Sequence, residues 1–235
     1  MKKSISIGLL FLMIILASCK KDKATNPVAF KEFTSNFQTN AEGWTGDFAD
    51  YPNDPNVKSL YELQFSYSTL PSPLNATDGA LKQSGNNRSD DLFMFVKRKF
   101  TGLAPNTSYK IDMEVEIATN AASGGVGAGG PPGEAVYIKA GATTNEPLKV
   151  LDKANFYIMN IDKGLQSKGG SDMKVIGDFA NGTPLFTYKL KVLKTTDPIS
   201  VKSNSDGEFW IIVGTDSGYE SVTTIYYNSI KVNAR

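Results

Sequence analysis

Tyr109-Lys110-Ile111-Asp112-Met113-Glu114-Val115-Glu116-Ile117 alternates an apolar with a charged residue over nine positions. A helix would scatter these side chains around its circumference. An extended chain sends successive side chains to opposite faces, so a strand with one buried and one wet face sorts them cleanly. The same period of two recurs through Tyr61, Leu63, Phe65 and Tyr67 and through Phe186, Tyr188, Leu190 and Val192. Leu92–Val96 and Phe209–Val213 are continuous apolar runs, the pattern of strands covered on both faces. With Val136–Ala140, Asn155–Met159, Met173–Ile176, Thr224–Val232 and runs near Phe30–Phe37 and Trp44–Tyr51, roughly ten to twelve strands are expected. Turn residues punctuate them at Pro71-Ser72-Pro73, Asp78-Gly79, Asn181-Gly182-Thr183-Pro184 and Asp206-Gly207. No repeat or linker divides residues 28–235. The pattern predicts one all-β domain, an antiparallel sandwich or barrel.

The two kinds of strand meet at one connection. If Leu92–Phe100 and Tyr109–Ile117 form a hairpin, Lys97 and Lys99 come beside Asp112 and Glu114, a favourable cross-strand pairing. Lysines facing water place Phe93 and Phe95 on that same outer face by parity, so something must cover them. The glycine-rich stretch Gly124–Gly133 is the expected cover.

Composition narrows the chemistry. The 235 residues contain no histidine and one cysteine, which removes the Ser-His-Asp triad, histidine-containing zinc sites and any disulfide within the chain. Lys+Arg number 25 against 24 Asp+Glu, and the basic excess sits at the N-terminus. The remainder therefore lacks the basic footprint of a nucleic-acid partner. Gly125-Val126-Gly127-Ala128-Gly129-Gly130 matches G-x-G-x-x-G. Pro131-Pro132 follows and blocks the helix whose N-terminus would bind phosphate, so no nucleotide is expected.

Met1-Lys2-Lys3 precedes an apolar run from Ile5 to Leu16, too short to span a bilayer, where about 20 residues are needed. Leu16-Ala17-Ser18-Cys19 then resembles the lipobox of bacterial lipoproteins. That resemblance implies cleavage after Ser18 and acylation of Cys19, with residues 1–18 a signal peptide and 19–27 a lipidated tether. Lys20-Lys21-Asp22-Lys23 resembles the post-cysteine segments of lipoproteins from the Bacteroidetes, and Lys20 in place of Asp implies the outer membrane. The expected membrane partner is reached through the lipid on Cys19.

Three further stretches carry a resemblance to carbohydrate-binding-module jelly rolls. Ala41-Glu42-Gly43-Trp44 is similar to their first strand, and Phe100–Ile111, containing Gly102-Leu103-Ala104-Pro105-Asn106-Thr107, to a central connection. Ile225-Tyr226-Tyr227-Asn228-Ser229-Ile230-Lys231-Val232 resembles their closing strand. The stretches occur in the family's order and imply a galactose-binding-like, jelly-roll β-sandwich with polysaccharide as the leading ligand. Asn228 departs from the aspartate often found there, which belongs to a calcium site in the family. Ser84–Phe95, Pro132–Gly141 and Met159–Gly164 are also similar to a group of uncharacterised secreted bacterial proteins.

Trp44, Tyr51, Tyr157, Tyr219 and Tyr226 lie in loops or at strand ends, where planar rings stack on sugars, and they are the candidate ligand-binding residues. Asp47, Asp50 and Asp54 supply hard oxygen ligands at short spacing and are the candidates for a structural Ca²⁺, with Asn86, Asn87, Asp90 and Asp91 as a second acidic group. No other cofactor and no catalytic residue is expected. The alternatives are a carboxylate-based glycoside hydrolase, drawing on Glu134, Asp162, Asp178 or Glu208, and a protein-partner component of an outer-membrane complex. Cys19→Ser is expected to abolish membrane association and leave unprocessed precursor. Mass spectrometry of the wild-type mature N-terminus, if it showed an unmodified residue, would overturn the lipoprotein reading.

Overall fold

A computed structural model describes residues 30–235. The leader, Cys19 and the whole tether lie outside the described residues. The strands are β1 (Lys31–Ser35), β2 (Thr45–Ala49), β3 (Tyr51–Pro52), β4 (Gln64–Thr69), β5 (Gly79–Asn86), β6 (Leu92–Phe100), β7 (Ser108–Thr119) and β8 (Val136–Thr143). They continue as β9 (Lys149–Leu151), β10 (Phe156–Met159), β11 (Met173–Asp178), β12 (Lys189–Lys194), β13 (Ile199–Lys202), β14 (Phe209–Ser217) and β15 (Val222–Ala234). The strands beyond the expected number are short ones such as β3, β9 and β13. A single turn of α-helix, α1 (Pro55–Lys58), is capped by Asp54, whose carboxylate accepts from the Asn56 amide.

Two antiparallel sheets face each other, as the alternation predicts. A seven-stranded sheet runs β12-β7-β15-β5-β4, with β1 beside β15 and β13 beside β7. A five-stranded sheet runs β11-β8-β14-β6-β2. Ile111, Met113, Val115 and Ile117 of β7 point inward with Ile225, Tyr227 and Val232 of β15. They meet Met94, Val96, Ile138, Ile211 and Val213 of the other sheet in one core. Gln83 crosses between the layers: its amide donates to the Asp47 and Phe95 carbonyls at 2.9 and 3.0 Å.

The expected β6–β7 hairpin does not form. The chain between Phe100 and Ser108 crosses from one sheet to the other, so β6 pairs with β14 and β2 while β7 pairs with β15, β12 and β13. Ala104 N–H donates to the Tyr109 hydroxyl and Ser203 Oγ donates to the Ala104 carbonyl, which hold the crossing. Lys97 therefore bonds Glu146 at 2.7 Å and Lys99 pairs with Glu208 at 3.2 Å.

Parity was the sounder guide. Phe93 and Phe95 do lie on the outer face of the five-stranded sheet, stacked at 5.5 Å. Their cover is not the glycine-rich stretch but the flap from Met159 to Met173, which brings Met159, Ile161 and Met173 down on them beside Ala49 and Ile212. A small third sheet, β3-β10-β9, leads into this flap.

Trp44 belongs to the core. It is 2% exposed, packs edge-on to Phe37 and Phe100, and donates its indole N–H to Ser35 Oγ at 3.0 Å. Trp44→Ala removes a large buried side chain and is expected to cost about 3–5 kcal/mol of stability. A denaturant titration followed by circular dichroism measures the loss.

Candidate functional site

The aromatic candidates separate into two groups. Trp44 and Tyr51 are core residues, because the loop and strand end that carry them turn inward between the layers. Neither ring is available to stack on a ligand, which corrects the expectation for both. Tyr157 is half-buried against Tyr51 at 5.0 Å, with Lys149 Nζ at 5.2 Å from its ring centroid. Tyr226 is buried too, packed with Leu70, Ala80 and Ala118, which corrects the expectation for it as well. Tyr219 lies half-buried in the turn between β14 and β15, and a cavity of about 170 Å³ opens beside it.

Asn120 at the end of β7, Pro132, Phe179, Phe186, Tyr219 and Thr223 line this cavity. Its volume lies below the ~300–1,000 Å³ of sites for drug-sized molecules, so it suits one ring-sized group. Phe186 is 71% exposed. It stands there because buried Asn181 shapes the segment before β12: the Asn181 amide donates to the Leu185 and Thr187 carbonyls at 2.8 and 3.0 Å. Asn87 does the same for Tyr219, donating to the Ser217 and Tyr219 carbonyls. The Thr223 hydroxyl has no hydrogen-bond partner among the described residues.

The glycine-rich stretch packs here instead of over Phe93. A Cβ at Gly127 would lie within 2.4 Å of the Tyr219 ring, so only glycine lets this backbone approach the tyrosine. Gly124 N–H donates to Glu134 Oε1 at 2.8 Å and closes the loop.

Tyr188 follows Phe186 by two residues and meets Tyr226 edge-on at 5.6 Å, while Lys82 Nζ lies 5.9 Å from the Tyr226 ring centroid. Burial, and then the neighbouring Tyr226, push the Tyr188 hydroxyl up to about 12. The hydroxyl stays protonated and able to donate through the neutral range. Phe186, Tyr188, Asn120 and Thr223 were not among the sequence candidates. Phe186, Tyr188, Leu190 and Val192 are expected on the buried face of one strand; instead Phe186 and Tyr188 precede β12, and Leu190 and Val192 of β12 are exposed, which corrects that expectation. Trp210 was also passed over: it lies half-buried on the outer sheet face, with Lys97 and Lys99 Nζ 5.4 and 5.6 Å from its ring centroid.

The acidic candidates also separate. Asp47 bonds Lys149 at 2.7 Å and Asp54 caps α1, so neither joins Asp50. Asp50 instead meets Asp91 and Asp216, with one oxygen of each within 4.8 Å of the others, and Lys139 and Lys163 lie among them. Glu134, Asp162, Asp178 and Glu208 each hold structural partners: Gly124, Ser171, Lys191 and Lys99 respectively.

No known family model matches the sequence, and no curated protein matches it. Solved structures of similar architecture include carbohydrate-binding modules with β-sandwich bodies. One is the CBM22-1–GH10 portion of Clostridium thermocellum endo-1,4-beta-D-xylanase 10B complexed with xylohexaose, at 9% identity and TM-score 0.38 over 86% of this chain. This chain spans 28% of that structure. Another is the mannan-recognising module TmCBM27, at 13% identity and TM-score 0.42, covering 88% of this chain and 99% of that one. A third is the CBM22-1 xylan-binding domain of Paenibacillus barcinonensis Xyn10C, at 6% identity and TM-score 0.40, covering 89% and 97%. The likeness is one of architecture.

Phe186 has little to lose by truncation if it only decorates the surface. Phe186→Ala is expected to change stability by no more than about 0.5 kcal/mol. A melting curve shared with wild type establishes it as a surface residue free for contact.

Proposed function

We propose that the protein is a lipid-anchored component of a bacterial outer membrane that binds glycan without cleaving it. The observation that carries the glycan reading is the cavity where exposed Phe186 and half-buried Tyr219 flank Asn120. Sugar rings present apolar C–H faces and a rim of hydroxyls. Recognition therefore asks for planar rings with a few directed donors and acceptors beside them. Half-buried Tyr188, two residues beyond Phe186, extends the apolar surface away from the cavity.

Binding without turnover fits the chemistry at hand. The chain has no histidine to exchange protons near neutral pH. The carboxylates considered for hydrolysis are occupied by loop and ion-pair contacts. The Leu16-Ala17-Ser18-Cys19 motif supports the anchor, and Lys20 the outer membrane.

One observation favours a protein partner instead: Leu148, Val150, Leu151 and Ile158 are exposed around the third sheet. Affinity electrophoresis through gels containing a panel of polysaccharides separates these readings. The purified protein is expected to be retarded by at least one polysaccharide and to release no reducing sugar. Phe186→Ala is expected to weaken retardation about tenfold or more, equivalent to ~1.4 kcal/mol. Retardation by none of the panel shifts the weight to the protein-partner reading, and release of reducing ends would establish the hydrolase.

A further inference from the structure

The strongest concentration of charge lies away from the aromatic cavity, beneath the Met159–Met173 flap. Lys139 of β8 and Asp216 of β14 are diagonal neighbours there. Lys139 pairs across the strands with Gly214, and Asp216 follows two residues later on the same outer face. Both side chains are fully buried, with Lys139 Nζ 2.6 Å from Asp216 Oδ2. On the other side of Asp216, Phe93 of β6 stands opposite it, in the apolar cluster that Met159, Ile161 and Met173 cover. An amine and a carboxyl group are thus held together in a place closed to solvent.

Their surroundings distinguish the two carboxyl oxygens. Besides the Lys139 contact, Oδ2 accepts from Lys163 Nζ at 2.9 Å and from Gln166 N–H at 3.1 Å. Oδ1 is buried with no donor among the described residues. The Lys139 nitrogen is fixed as firmly, because its other two bonds go to the Lys163 and Lys168 carbonyls, both at 3.0 Å. An amine that keeps those two bonds has its lone pair left for the side facing Asp216.

Opposite charges without solvent have lost the hydration that makes the ion pair the resting form in water. The neutral amine and acid hold the same atoms and the same protons, so none has to enter or leave the site.

We propose that Lys139 and Asp216 condense to an amide, an isopeptide cross-link between the adjacent strands β8 and β14. Nζ attacks Cγ and forms the C–N bond, while the C=O electron pair moves onto Oδ2. Lys163 and Gln166 receive that negative charge at the distances of an oxyanion hole. Collapse restores the double bond to Oδ2 and breaks the bond from Cγ to Oδ1. Oδ1 takes two protons from the nitrogen and departs as water, so ammonium and carboxylate become amide and water. The amide oxygen keeps both donors, and the amide nitrogen keeps one N–H for the flap carbonyls. Water opposes such a condensation in solution. Groups fixed in position reach effective concentrations of ~10⁵–10⁸ M, and the closed flap excludes the water that would reverse the step. Lys163 also touches Oδ2, but it is shared with Asp50 Oδ2 at 2.9 Å, which places it as the charge that steadies Oδ2.

Peptide mapping of the purified wild-type protein tests this directly. Trypsin does not cut after a lysine whose Nζ is acylated. The digest is expected to contain residues 111–149, uncut at Lys139, joined to residues 203–231, at the summed peptide mass less one water. Tandem mass spectrometry is expected to place the link at Lys139 and Asp216. Recovery of residues 111–139, 140–149 and 203–231 as separate peptides, with no joined form, overturns the proposal. So does a link at Lys163, or a lost water confined to residues 203–231, which marks cyclisation at Asp206-Gly207. Lys139→Arg and Asp216→Ala are each expected to abolish the joined peptide, and its survival in either overturns the assignment. The wild-type map decides the matter even if neither variant folds.

Discussion

Burial of β14 on both faces is the constraint from which much of the remaining architecture follows. Phe209, Ile211 and Val213 fill the space between the sheets, while Ile212 and the neighbouring Phe93 and Phe95 point the other way. A two-layer sandwich normally leaves its outer faces wet. Here that would expose two phenylalanines and an isoleucine on adjacent strands, a contiguous apolar patch of the kind monomeric proteins avoid. A third layer is needed, and the segment from β9 through the flap provides it.

That layer creates its own problem. The flap is irregular, so its peptide groups at Lys163, Gln166 and Lys168 face the sheet without strand partners. Buried backbone groups left unpaired are costly. Lys139 and Asp216, neighbours on β8 and β14, answer with an ammonium for the two carbonyls and a carboxylate for the amide. Two opposite buried charges stabilise each other only when further hydrogen bonds complete them, which the flap supplies in return. The apolar cover and the polar anchor are one device, built on alternate residues of the same strands.

The sequence disclosed these features unequally. Alternation in β7 and the unbroken runs in β6 and β14 announced the sandwich, and parity alone placed Phe93 and Phe95 outside. The partner of β6 could not be read, because a connection of about seven residues serves either a hairpin or a crossing between sheets about 10 Å apart. Trp44 looked like a loop residue, yet Ser35 offered its indole an acceptor inside the core. Asp216 was missed because it follows an apolar run and has no acidic neighbour in sequence. Asp50 and Asp91 were both noticed, but in separate clusters some forty positions apart. Only the folded sheet brings the three together. Tyr219 and Tyr226 were recognised as rings near loops, whereas their partners Phe186 and Tyr188 read as interior strand residues.

The two ends of the molecule use polar groups in opposite ways. Around Phe186 and Tyr219, amides spend their donors on backbone carbonyls, so the rings are held in place beside the cavity. Around Asp216 almost every donor is consumed, and what is missing is a single positive charge. A buried network that nearly closes on itself contributes little net stability compared with an apolar replacement, but removing one member leaves the others uncompensated. Its value lies in specificity: only one placement of the flap puts Lys163 between Asp50 and Asp216 while bringing the Lys163 and Lys168 carbonyls to Lys139. Met159, Ile161 and Met173 could cover the phenylalanines in several registers by hydrophobic contact alone. The charges select one of them.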